Sequence, residues 1–182
     1  PLCVVKKLKP QSPSLFPVAK RLFDTEAKIL EKLGEHPQIP RLLADFTEKQ
    51  EFYLVQEYIE GEELAKEMPT YNRQPWDEAK VTQLVLDILE ILVFVQKHNV
   101  IHRDIKPSNL MRRRKDGKIV MIDFGAVKEV TTQIANLPPG APGTLPIGTP
   151  GYMPDEQKKC QPSFASDIYA VGIVCLQALT GL

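Results

Sequence analysis

Cysteine is scarce in this chain. Cys3, Cys160 and Cys175 are the only three in 182 residues, and their spacing fits neither a disulfide framework nor a metal-ligand cluster. That favours a reducing compartment, and a cytoplasmic location is the expectation. Net charge is absent as well: 23 Lys and Arg balance 23 Asp and Glu, so no global field draws the chain to nucleic acid or to an anionic membrane. No apolar run reaches the roughly 18 residues of a membrane span. The longest candidate, residues 84–95, is interrupted by Asp87 and Glu90 and reads as a buried helix. Neither an initiator methionine nor a leader pattern stands before Pro1, and Leu182 falls just past an apolar helix, so both ends read as cut. No internal repeat is visible. The length suffices for one sizeable core, or for two lobes sharing an interface.

What is present falls into a clear order. Residues 2–8 form a short β-branched run ending in lysines, a strand. Pro10, Pro13 and Pro17 make residues 9–17 a loop. Over residues 18–33, Val18, Leu22, Ile29 and Leu33 recur near helical period, with Glu26 and Leu30 on an adjacent face and Gly34 as a stop. Residues 41–46 and 51–57 read as an antiparallel hairpin around the turn 47–50. Glu60-Gly61-Glu62 interrupts the pattern and is expected to link two lobes. Residues 76–99 make the longest helix, apolar on most faces and so central to a helical lobe. Asp116-Gly117 is a turn leading into a strand over 119–123. Residues 131–154 carry six prolines and four glycines without periodicity, a long loop. A final helix spans 166–180, with Ser166 or Asp167 near its start and Gly181 after its end.

Two stretches carry the chemistry. Ile101-His102-Arg103-Asp104-Ile105-Lys106-Pro107-Ser108-Asn109-Leu110 puts a carboxylate, an ammonium and a carboxamide within six residues, on a segment whose Pro107 forbids a continuing helix. Thirteen residues past Leu110 comes Asp123-Phe124-Gly125, directly after the apolar run 118–122. In this order and spacing the pair resembles the catalytic loop and metal-binding turn of protein kinases. Phosphoryl transfer asks a protein for positioning and for charge neutralisation, with little covalent work. Asp104, Asn109 and Asp123 supply oxygen groups of the kind Mg²⁺ takes, and Lys106 adds a positive charge.

The chain as a whole resembles a bacterial, eukaryotic-like Ser/Thr protein kinase, from the third strand of the small lobe to the central helix of the large one. The resemblance implies an α+β, two-lobe fold: residues 1–57 as the remainder of the small lobe, 58–62 as hinge, 63–182 as the first part of the large lobe. It implies ATP and Mg²⁺ as cofactors, with Mn²⁺ as a substitute, and a protein substrate with a Ser or Thr acceptor. Carried over, Lys6 in Val4-Val5-Lys6 pairs with the α/β-phosphates and Glu26 holds it in place. Asp104 is the catalytic base, Asn109 and Asp123 the metal ligands, and Lys106 the lysine typical of Ser/Thr kinases. Gln56 lines the back of the adenine pocket, backbone groups at Glu57 and Ile59 bond adenine, Glu63 reaches the ribose and Met111 floors the pocket. Gly148-Thr149-Pro150-Gly151-Tyr152-Met153 resembles the substrate segment, with Thr149 near Asp104 and Lys106. Asp167 braces the catalytic-loop backbone, and His102 packs beneath Phe124 rather than acting in the chemistry. Thr131, Thr132 and Thr144 are candidate phosphorylation sites whose phosphate would pair with Arg103.

Some features depart from the pattern. Pro154-Asp155-Glu156 stands for the usual Ala-Pro-Glu, and Glu156 is expected to be orphaned because its arginine partner would lie past residue 182. The glycine-rich strand pair would precede Pro1. Alone, Lys6 would read as a strand-end surface lysine, and Arg112-Arg113-Arg114-Lys115 reads as a solvated turn rather than a nucleic-acid site. Two rival readings are a non-catalytic, nucleotide-binding scaffold and a small-molecule kinase of the aminoglycoside type. Retention of Lys6, Glu26, Asp104, Asn109 and Asp123 opposes the first, and the segment 148–156 opposes the second. The 182 residues alone are expected to be poorly stable and inactive, since at least six apolar residues of the last helix would lack cover. Each buried side chain is worth about 1.5–3 kcal/mol, against a domain stability of roughly 5–15 kcal/mol.

Overall fold

In the computed structural model, residues 2–8, 10, 12, 14, 16–69, 74–129 and 147–181 are described, 128 and 129 by backbone alone. The first sheet has the strand order β1-β3-β2, all antiparallel, from β1 (Cys3–Leu8), β2 (Leu42–Glu48) and β3 (Glu51–Glu57). The hairpin is tighter than the sequence implied. Both strands run to the two-residue turn Lys49-Gln50, whose φ values of 49° and 62° give the mirror-image turn matching strand twist. Central β3 alternates strictly, burying Phe52, Leu54 and Gln56 on one face. Helix α1 (Phe16–Leu33) covers that face, with Phe16 and Phe23 each 5.1 Å from the Phe52 ring.

Helix α1 begins two residues before the expected start, since Pro17 sits in its first turn, where a missing N–H does no harm. Its buried face is Phe23, Glu26, Ala27, Ile29, Leu30 and Leu33. Val18 and Leu22, expected in the stripe, are exposed, because the sheet packs against a different face of the helix, that of Phe16, Ala19, Phe23 and Ala27.

A second antiparallel sheet, β4-β6-β7, joins β4 (Gly61–Glu63), β6 (Leu110–Arg113) and β7 (Ile119–Met121). The stretch expected as a bare link is thus partly a strand. Gly61 permits it, for a Cβ there would sit 2.3 Å from the Arg112 carbonyl oxygen. A short helix, α2 (Leu64–Glu67), follows β4. Helix α3 (Glu78–Lys97) starts at Asp77, whose carboxylate accepts from the Lys80 N–H at 2.7 Å. It buries Val81, Leu84, Ile88, Ile91, Leu92 and Val95 and packs on α5 (Phe164–Thr180). Helix α5 begins earlier than the sequence implied, with Ser163 outside its first turn and the Ser163 N–H donating to Ser166 Oγ at 3.0 Å. Between them lie β5 (Val100–Ile101), paired with β8 (Lys128–Glu129), and the four-residue helix α4 (Asp155–Lys158).

One core spans both parts. Leu30, Leu33 and Ile39 cluster with α3 residues, Ile119, Met121 and Phe124. Gln38 stitches this junction: its side chain donates to the Ile119 carbonyl at 2.8 Å and its carbonyl accepts from Met121 N–H at 3.0 Å. The α+β, two-lobe expectation holds. Among the described residues no helix is long and apolar enough to cross a membrane.

Candidate active site

Lys6 projects from β1 towards α1 and towards the turn after β7. Its Nζ donates to Glu26 Oε1 at 2.7 Å and to Asp123 Oδ1 at 2.8 Å. Burial, the largest influence on Lys6, pulls its pKa down, but the two carboxylates outweigh it and hold the ammonium above its ordinary range. Burial pushes the Glu26 carboxyl up against the pull of Lys6. At Asp123 burial pushes up too, yet Lys6 and the Gly125 N–H, 3.0 Å away, together draw it below the usual range. Gly125 is needed for this closeness. A Cβ there would stand 3.0 Å from Lys6 Nζ and 3.3 Å from both Asp123 Oδ1 and Glu26 Oε2.

The loop after β5 is anchored by buried Ile101 and Ile105. Arg103 within it has φ of 69°, a left-handed conformation costing about 1–2 kcal/mol for a side chain with a Cβ. Asp167 holds that kink: its two oxygens accept the backbone N–H groups of His102 and Arg103, each at 2.8 Å. The Arg103 guanidinium donates to the carbonyls of Ala126 and Val127. Burial lowers its pKa to about 10, with Asp167 pulling the other way. His102 is wholly buried, edge-on to Phe124 at 5.0 Å. Its Nδ1 accepts from the Asp104 N–H at 3.3 Å, which leaves the proton on Nε2. Burial keeps the ring below its ordinary pKa despite the nearby carboxylates, led by Asp167.

The kink delivers Asp104 into a small polar cluster. Oδ1 accepts from Thr149 Oγ1 at 2.6 Å. Oδ2 meets Lys106 Nζ and Asn109 Nδ2, both at 3.0 Å. Lys106 also donates to Thr149 Oγ1 at 2.7 Å, and Asn109 Nδ2 to the Asp104 carbonyl at 2.8 Å. With its nitrogen so committed, Asn109 keeps Oδ1 as its acceptor atom. The Ile122 N–H donates to the Asn109 carbonyl at 3.0 Å, tying this loop to the strand that leads into Asp123.

The donor chemistry fits a hard divalent cation. Asn109 Oδ1 and the Asp123 oxygen not bonded to Lys6 are oxygen donors on two neighbouring segments that could ligate such a cation. Among the described residues no group of three His, Cys, Asp or Glu side chains forms a cage. A cation held here would complete its shell from water and ligand oxygens, the habit of Mg²⁺.

Gln56 is buried, and among the described residues its Nε2 has no hydrogen-bond partner. Glu57 donates its N–H to the Arg41 carbonyl at 2.9 Å and pairs through its carboxylate with Arg41 at 3.4 Å. Ile59 is buried, and Glu63 and Met111 are cross-strand neighbours in the β4-β6 pair. Thr131, Thr132 and Thr144 lie outside the described residues. Glu156 is not orphaned: Ser166 Oγ donates to it at 2.9 Å. Sequence reasoning missed Gln157, whose side chain reaches two backbone carbonyls. It also missed the Tyr152–Gln177 hydrogen bond of 2.7 Å beneath the Thr149 segment. A lone glutamine carries no spacing signal, so only the structure reveals either.

A family model described as the protein kinase domain matches residues 2–182. The chain belongs to the protein kinase family. Serine/threonine-protein kinase B of Synechocystis sp. is 46% identical over all of this chain and 32% of its own length. Serine/threonine-protein kinase PknA of Nostoc sp. is 40% identical over 98% of this chain and 32% of its own length. Serine/threonine-protein kinase C of Synechocystis sp. is 42% identical over 98% of this chain and 34% of its own length. The kinase chain thus spans about a third of the length of these relatives. Members of the family use ATP, a divalent cation and a protein substrate.

Proposed function

We propose that this chain is catalytic machinery of an ATP- and Mg²⁺-dependent protein Ser/Thr kinase acting in the cytoplasm. The observation that carries the reading is the bridge from Lys6 to both Glu26 and Asp123, which assembles three chain-distant ionic groups on one side of the cleft. A lysine already gripped by two carboxylates is pre-set to face phosphate oxygens. Glu26 keeps Lys6 from swinging away, and buried Gln56 with the backbone at Glu57 and Ile59 receives the adenine. Glu63 and Met111 flank the ribose and the base.

Asn109 and Asp123 would hold the cation, which when bound neutralises charge on the phosphate oxygens. Asp104 orients the acceptor hydroxyl and takes its proton as the γ-phosphoryl passes to that oxygen and ADP leaves. Lys106 offsets the negative charge gathering there. Thr149 bonds both residues, so it sets where an acceptor can lie. Phosphorylation at Thr131, Thr132 or Thr144 would add an anion for Arg103 to meet. The test is phosphoryl transfer from labelled ATP to a generic basic protein by the full-length protein and by Asp104→Asn. Loss of general-base help predicts a fall of about 10²–10⁴-fold; equal incorporation by both overturns the reading.

A further inference from the structure

Gln157 is 2% exposed, and its side chain does something no motif announces. Its Nε2 donates to the Arg103 carbonyl at 2.6 Å and to the Ile147 carbonyl at 2.7 Å. Both partners are acceptors only, so the amide must present its nitrogen to them. Arg103 immediately precedes Asp104, and Ile147 lies two residues before Thr149. Those two downstream side chains meet at 2.6 Å. The catalytic loop and the substrate segment therefore touch through Gln157 and again through Thr149, which meets both Asp104 and Lys106.

The backbone around this strut is shaped to admit it. Gly148, at φ of 137°, lies so close that a Cβ would be 2.4 Å from Gln157 Nε2 and 2.7 Å from the Arg103 carbonyl oxygen. Arg103 sits in the left-handed region with its N–H held by Asp167 and its carbonyl held by Gln157. Gln157 itself is fixed, its N–H donating to the Pro154 carbonyl at 3.1 Å and its carbonyl accepting from Cys160 N–H at 2.9 Å.

Resting on the phosphoryl-transfer reading above, we propose that Gln157 is a positioning residue, an amide clamp that sets the acceptor-side segment against Asp104. It touches none of the Lys6, Glu26 and Asp123 groups, so its influence falls on the acceptor side and leaves nucleotide binding alone. A carboxylate in its place would face two carbonyl oxygens and repel both. A protonated carboxyl would restore one of the two donors.

The experiment compares the full-length protein with Gln157→Met, which keeps volume but cannot donate, and Gln157→Glu, which keeps shape and donates only when protonated. Peptide kcat and KM, ATP KM and the thermal midpoint are measured from pH 8 to 5.5, with activities normalised to the parent at each pH. The clamp predicts a fall in peptide kcat/KM of about 10–100-fold at pH 8, as misplacement near the reacting groups gives. ATP KM stays within about twofold in both variants, and Gln157→Glu recovers towards acid while Gln157→Met does not. Peptide kcat/KM within about twofold of the parent, parallel pH profiles for the two variants, or an equal loss of ATP binding overturns it. An active parent with unaffected variants removes this inference alone. An inactive parent removes the function reading with it.

Discussion

Lys6 is the residue on which the charge balance turns. Replacing it by methionine leaves Glu26 buried without its cation, and the already raised carboxyl takes up a proton instead. Lys6→Met is expected to retain the fold and lose about 10²–10³-fold in transfer, the scale of removing one electrostatic stabiliser; unchanged turnover would contradict this. His102 gives a prediction of a different kind. Burial lowers its folded pKa below the ordinary 6.5, so only the unfolded chain takes a proton as the pH drops past that value. Its contribution to stability is whole above pH 6.5 and is lost as the pH falls towards the lower folded value. The thermal midpoint should therefore decline from pH 7 to 5 more steeply in the parent than in His102→Phe. Parallel declines would rule out a buried neutral imidazole.

At this scale Asp104, Lys106, Asn109 and Asp123 were legible because they sit in short motifs of fixed order. Lys6 and Glu26 became legible only by their place relative to those motifs. Gln157 was not, because its partners are backbone carbonyls 54 and 10 residues away in sequence. A side chain that recognises main chain places no demand on the residue types it meets.

Among the elements, α5 works as a brace. Its first turn delivers Asp167, 4% exposed, to two N–H groups of the catalytic loop. Asp167→Asn removes one acceptor oxygen and the charge, leaving a buried N–H unpaired, and should destabilise by about 2–4 kcal/mol. Denaturant unfolding of the full-length protein measures it, and a change under about 0.5 kcal/mol would contradict the brace. Helix existence was readable from periodicity for α1, α3 and α5, while their starts were not. The start of α1 turns on Pro17, which is loop-like in sequence yet harmless in a first turn. Strand β4 has only three residues, too few for alternation to show, and it exists because Gly61 lets the β6 backbone approach.

For the whole molecule, one core joins the two parts, and Leu30, Ile39 and Phe124 all belong to it. Apolar side chains also remain exposed on β1, at Val4, Val5 and Leu8, and on α5, at Ile168, Leu176 and Leu179. Together with relatives about three times as long, that surface predicts a lower thermal midpoint for residues 1–182 alone than for the same segment in the full-length protein. Equal midpoints would show the exposed faces need no cover. On the proposed function the site divides its labour: Lys6, Glu26 and Asp123 for the nucleotide, Asp104 with Lys106 and Thr149 for the acceptor. The most direct measurement pairs Mg²⁺-ATP affinity with single-turnover transfer in full-length Asp104→Asn and Lys6→Met. Asp104→Asn should bind Mg²⁺-ATP within about threefold of the parent and lose about 10²–10⁴-fold in transfer, while Lys6→Met loses both. Transfer by Asp104→Asn at the parent's rate would contradict this division.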